Sequence, residues 1–127
     1  MINLAAIQNL HPEWFAIFEK MELEIVLLAV DCRIGSPIYQ VADLGKLLDG
    51  HLKERGLGGL DSTAYPGGRH LHFFHIPRGN LGTAVEVLKA LLDFHSLLAV
   101  SEIYHAEAHD RFCQWWPATA ELVVMES

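Results

Sequence analysis

The sequence predicts a single α+β domain, an antiparallel sheet with helices packed on one face, and three observations carry that prediction. Residues 25–30 form an unbroken apolar run between Glu24 and Asp31, short and partly β-branched, as a central strand covered on both faces requires. Tyr65-Pro66-Gly67-Gly68 has proline second and glycine third, the pattern of a type II turn, and sits between two stretches able to pair as a hairpin. Helically spaced apolar stripes precede and follow that hairpin. A chain of 127 residues suits one domain and buries enough surface to stand without disulfides or a metal staple.

Taken in order, Asn9 or His11 caps a first helix over residues 10–21, with Pro12 near its start where a missing N–H is harmless. Trp14, Ile17, Phe18 and Met21 then recur at i, i+3, i+4 and i+7 as its buried stripe. The first strand covers 24–32. Ser36-Pro37 opens a second helix running from Tyr39 to Arg55, with Val41, Leu44, Leu48 and Leu52 in phase. Gly56 ends it, while Lys53 and Arg55 suit its C-terminal dipole. Gly45 and Gly50 inside it each cost about 1 kcal/mol relative to alanine.

The hairpin pairs 60–64 with 69–76, and Pro77-Arg78-Gly79 breaks its second strand. Either Asn80 or a capping box from Thr83 to Glu86 starts a third helix. Leu81, Val85, Leu88 and Leu92 form its stripe, widened by Val87, Leu91 and Phe94. Residues 98–106 read as a strand; His105 to His109 either continues it or turns into a short helix. Residues 112–116 and 121–125 read as short extended pieces separated by Pro117.

The order helix, then β-α-β-β-α-β, then a tail resembles the ferredoxin-like arrangement over a core of 24–106: a four-stranded antiparallel sheet with two helices on one face. In that topology the first strand lies between the third and the fourth, as its apolarity suits. An alternative layering lets the C-terminal extension, 107–127, add one more strand. The resemblance carries no function. The other sheet face needs a cover. Either the first helix and the tail supply it with Trp14, Phe15, Phe112, Trp115 and Trp116, or a second copy does, which makes a homodimer an open alternative.

A formal net charge of -7 argues against a phosphate backbone as partner, so no nucleic acid is expected. No base precedes Lys20 and no apolar run approaches the roughly 18 residues of a span, so neither a signal peptide nor a membrane segment is expected. Cys32 and Cys113 stand in no C-x-x-C pairing and read as reduced thiols of a cytoplasmic protein.

Eight histidines are the unusual feature. On a strand, His70 and His72 point to one face and His75 to the other. His70 and His72, joined by His105 or His109, form a candidate set for a divalent metal such as zinc, although the intervening strand keeps the two pairs about 10 Å apart. No H-E-x-x-H motif is present, and no other cofactor is implied. Alternatively Arg69 or Arg78 holds an anionic ligand while His72 moves a proton, in the only stretch where bases outnumber acids. No nucleophile stands in a recognisable motif, and no catalytic residue is assigned.

A third set lies near the C-terminus, where Glu107 and Asp110 flank Trp115 and Trp116, aromatic anchors ringed by acids that suit a basic protein partner. The sequence therefore supports first a small acidic, cytoplasmic, non-enzymatic binding protein engaging a basic protein, as an inhibitor or immunity-type module does. Its second reading is a small-molecule or metal-binding domain, with or without catalysis, using the histidine-rich strand.

Overall fold

The computed structural model describes residues 12–33, 35–65, 67–108 and 111–117. It has mixed helix and strand content. A five-stranded antiparallel sheet runs in the order β2-β3-β1-β4-β5, with β1 Leu23–Asp31, β2 Gly59–Ala64, β3 Arg69–Pro77, β4 Ser101–Ala108 and β5 Arg111–Trp116. β1 is central because its six apolar residues are buried without a break, which only a strand covered on both faces sustains. Leu28 of β1 stands opposite His72 of β3 on one side and Ile103 of β4 on the other. The segment from His105 to Ala108 continues the strand, and the C-terminal extension adds β5 along the edge.

Side chains alternate across this sheet. Val26, Leu28 and Val30 face two helices, α2 Leu44–Glu54 and α3 Leu81–Phe94, and share a core with Phe74, Ile76, Leu48, Leu88 and Leu92. Ile25, Leu27 and Ala29 face the other way, with Leu71, Phe73 and Tyr104, under α1 Pro12–Lys20. That second face is covered by Trp14, Phe15 and Phe18 of α1 and Phe112 of β5. Trp116 packs instead against the helix-side core, and Trp115 joins neither cluster.

Five expectations are corrected. α1 turns Trp14, Phe15 and Phe18 onto the sheet, Phe18 buried and the other two half-buried, while Ile17 and Met21 are exposed, a rotation of about 60° at the helical angular step. The reason is that α1 crosses the sheet on three neighbouring aromatics, so its stripe follows ring packing and not the i, i+3, i+4, i+7 ideal. The predicted helix over 39–55 divides: Ser36 caps a single 3₁₀ turn, Pro37–Gln40, and α2 starts only at Leu44 behind Asp43, whose left-handed backbone (φ 50°) breaks the chain direction. α3 begins at Leu81, with Asn80 at its cap position making no side-chain bond, so Thr83 and Glu86 lie inside the helix and form no capping box. Phe94, at the end of α3, is 81% exposed and belongs to no core. β4 likewise starts later than expected, at Ser101, because a 3₁₀ turn occupies Leu98–Val100. The extended piece expected at 121–125 lies outside the described residues.

Candidate functional site

β3 is the strand that builds the site. Its even-numbered residues face α2, and Phe74 and Ile76 are absorbed by the core. His72, the next position along that face, is 3% exposed. His70 follows, half-buried, where the covering by α2 ends. Among the described residues His72 and Ser101 are the two buried polar side chains. Ser101 donates its hydroxyl to the Leu97 carbonyl at 2.7 Å, but neither ring nitrogen of His72 has a hydrogen-bond partner among the described residues.

α2 can lie this close to β3 because its second residue is glycine. A methyl group on Gly45 would stand 3.2 Å from His72 Nδ1 and 3.2 Å from a Leu60 methyl, closer than ordinary contact. Asp49, one turn further on, accepts the Leu60 backbone N–H at 2.7 Å and pairs with Lys53 at 3.2 Å. Those bonds lower the Asp49 pKa and fasten α2 to β2. Asp43 caps α2 by accepting the Lys46 N–H at 3.3 Å.

Between the 3₁₀ turn, the start of α2 and the adjoining ends of β2 and β3 opens a pocket of about 500 Å³. His72 and Gly45 line its inner part, Thr63 and Lys46 its sides. Tyr39 and Tyr65 also line it and are 68% and 65% exposed. The Tyr39 hydroxyl donates to the Cys32 carbonyl at 2.6 Å, which holds that ring in place. His70 packs edge-on to Tyr65, centroids 4.8 Å apart, and more loosely to Tyr39 at 6.4 Å. The His70 and His72 rings lie 6.3 Å apart. Burial pushes His72 down to about 4, the neighbouring His70 adds to that, and Asp43 opposes it. Burial also lowers His70. Both imidazoles are therefore neutral at pH 7, each with one donor and one acceptor nitrogen.

Of the residues singled out by sequence, the structure brings His70 and His72 together and leaves the others elsewhere. Arg69 and Arg78 stand at opposite ends of β3, separated by nearly its whole length, some 25–30 Å at about 3.3 Å per residue. Neither lines the pocket, whose cation is Lys46. Arg69 lies opposite Asp31, which Arg33 grips through both carboxylate oxygens. Arg78 donates to the Glu19 carbonyl and lies 3.8 Å from Glu24, tying α1 to the sheet.

His105 bonds Glu24 through Nε2 at 2.9 Å and packs edge-on to Trp115. His109 and Asp110 lie outside the described residues. Among the described residues no group of three or more His, Cys, Asp or Glu side chains could hold a metal ion. Glu107 pairs with Arg111 at 3.2 Å. Trp116 donates Nε1–H to the Leu98 carbonyl and carries Lys89 over its ring, 4.8 Å from the centroid.

Sequence reasoning missed Tyr39, Asp43 and Tyr65. Gly45 was the available signal, a helix glycine with a cost and no stated reason. A separate pair lies on the opposite face, where the β2 register shift between Leu60 and Ser62 aims Asp61 at His75 Nδ1, 2.8 Å away. Burial raises Asp61, and the imidazole partly offsets this. The chain matches no protein-family model, no curated protein and no solved structure.

Proposed function

We propose that this chain is a small-molecule-binding domain whose site is the pocket between α2 and β3. The observation that carries this is His72: a buried imidazole with both nitrogens unpartnered, on the wall of a cavity within the size range of ligand sites. Leaving a buried donor and acceptor unmade costs about 1–3 kcal/mol each, and a ligand that reaches them recovers part of that cost. The arrangement supports binding more than catalysis, since among the described residues no hydroxyl or thiol is bonded to either His72 nitrogen. The test is a panel of neutral, anionic and cationic metabolites and divalent metals, read by thermal shift and by the imidazole NMR signals of His72. A compound that raises the melting temperature and moves those signals supports the reading. A panel that leaves His72 unmoved overturns it.

The protein-binding reading is supported by Trp115, which is exposed and packs edge-on to His105. It has one aromatic anchor there, because the Trp116 ring is committed to the core. A basic partner lost above about 0.3 M salt would favour it. Around either site we read residues 24–106 as ferredoxin-like, on the strength of the βαββαβ order and of β1 standing between β3 and β4. The cysteines are unpaired, which supports a reducing, cytoplasmic setting, and no described helix is long and apolar enough to cross a membrane. With the second sheet face occupied by α1, a homodimer is not needed to cover it.

A further inference from the structure

The charges around the pocket restrict what it can hold. Among the described residues Lys46 is the one cation lining it, set against the carboxylates of Asp43 and Asp49, and the two imidazoles add no charge at neutral pH. An anion would meet no net positive field. A cation would find Asp49 already bonded to Leu60 and Lys53, and Asp43 engaged at the start of α2. An uncharged ligand meets neither obstacle.

The pocket walls restrict its shape. Two exposed tyrosines stand at the same opening, and water leaves their large apolar faces unsatisfied. His70 sits edge-on to both, so an aromatic wall runs from the opening inward to His72. A planar ring can lie against that wall. The N–H and the bare nitrogen of one imidazole diverge, but two neighbouring neutral imidazoles, one presenting each, suit a ring edge carrying both an acceptor and a donor.

On the footing that this pocket takes a small ligand, we propose that the ligand is an uncharged heteroaromatic ring of purine or pyrimidine size, its face against Tyr65 and Tyr39 and its polar edge toward the His70–His72 pair. His70 is met first and His72 lies behind it, 6.3 Å further in by ring centroids. The rim supplies stacking and the histidines supply selection among rings. A ring without a donor–acceptor edge leaves the buried imidazole as unpaired as before.

The experiment titrates the full chain at pH 7.5 with adenosine, uridine and nicotinamide as neutral rings, benzene as a ring without a polar edge, and inorganic phosphate and choline as charged controls. NMR signals of the Tyr39, Tyr65, His70 and His72 rings report the site. The expected result is that at least one neutral heteroaromatic binds, moves all four rings, and outcompetes benzene by tenfold or more. Tyr65→Ala should weaken it by about 5- to 100-fold, the range for loss of one aromatic stacking partner, while Tyr65→Phe retains it.

Undiminished binding in Tyr65→Ala overturns the ring proposal. Selective binding of phosphate or choline at these signals also overturns it, yet keeps the pocket as a ligand site. Silence from every probe, charged or neutral, removes both. If adenosine binds, a single-stranded oligoadenylate binding as tightly assigns the ring to a strand, and binding tenfold weaker assigns it to a free molecule. Either result keeps the ring class.

Discussion

His72→Leu removes a buried imidazole that has no hydrogen-bond partner and replaces it with an apolar side chain of similar bulk. Two separate gains follow. At pH 7.5 the variant escapes the desolvation of one donor and one acceptor, so it should be more stable than the parent by about 2–6 kcal/mol. The second gain depends on pH. Burial pushes His72 from 6.5 to about 4, so between those values the unfolded chain holds a proton that the folded chain does not. Protons therefore favour unfolding, and the parent loses stability as the pH falls from 6.5 toward 4. At 1.36 kcal/mol per pH unit of displacement, the loss from this one ring approaches about 3 kcal/mol, most of it gone by pH 4.5. His70 contributes in the same direction and remains in the variant. Asp31, held down to about 2 by Arg33, and Asp49, lowered by Leu60 and Lys53, lose their contributions lower on the scale, below the ordinary carboxylate value. Urea unfolding followed by tryptophan fluorescence at pH 7.5, 6.0, 5.0 and 4.5, at fixed salt, separates these windows. The variant should start higher and fall less steeply from pH 6.5 to 4.5. A His72→Leu protein less stable at pH 7.5, with the parent's acid slope, would refute the reasoning, since its ring would then be neither unpaired nor depressed.

Gly50→Ala should stabilise by about 0.5–1 kcal/mol, since nothing stands within 4 Å of the added methyl, whereas Gly45→Ala should gain nothing or lose stability against His72 and Leu60; equal gains in melting temperature would contradict this. Asp49→Ala should cost about 1.5–3 kcal/mol by leaving the Leu60 N–H unpaired, and Asp49→Asn should recover much of it, as urea midpoints would show. Leu88→Ala, on α3 and fully buried in the core that the sheet shares with α2 and α3, should cost about 2–5 kcal/mol, while Phe94→Ala should stay within about 0.5 kcal/mol. A large effect at Phe94 would restore it to the core stripe.

Much of the sheet is legible from local pattern. The apolar run at 25–30 could only be central, and the turn at 65–68 could only join neighbours, so β1 and the pairing of β2 with β3 follow from a few residues. Helix faces are less legible, because periodicity marks a stripe without saying what it rests on. α1 turned to seat three rings, and α3 ran one residue past its cover at Phe94. At the site, the alternation along β3 correctly paired His70 with His72. The same alternation already sets Arg69 on the other face, and nine extended residues put Arg78 beyond reach. What no local pattern supplies is the neighbour across space. Tyr39, Asp43 and Tyr65 converge on His70 only after α2 is laid across β2 and β3.

The pairing of Gly45 with His72 bears most directly on function. Each residue is unfavourable by itself: glycine weakens the first turn of α2, and an unbonded imidazole is a poor residue for the inner face of a sheet. Alanine over leucine would serve the fold better on both counts. The glycine has a use, because it lets the helix approach a ring. The ring has none that packing supplies, since the other fully buried positions on that face of β3 are Phe74 and Ile76. Local rules broken together at one point, beside an open cavity and against the interest of stability, support the proposed binding site. The structural alternative is that the imidazole is held by ordered water and serves the fold. In that case His72→Leu would weaken the protein, and the sign of that one difference decides between them.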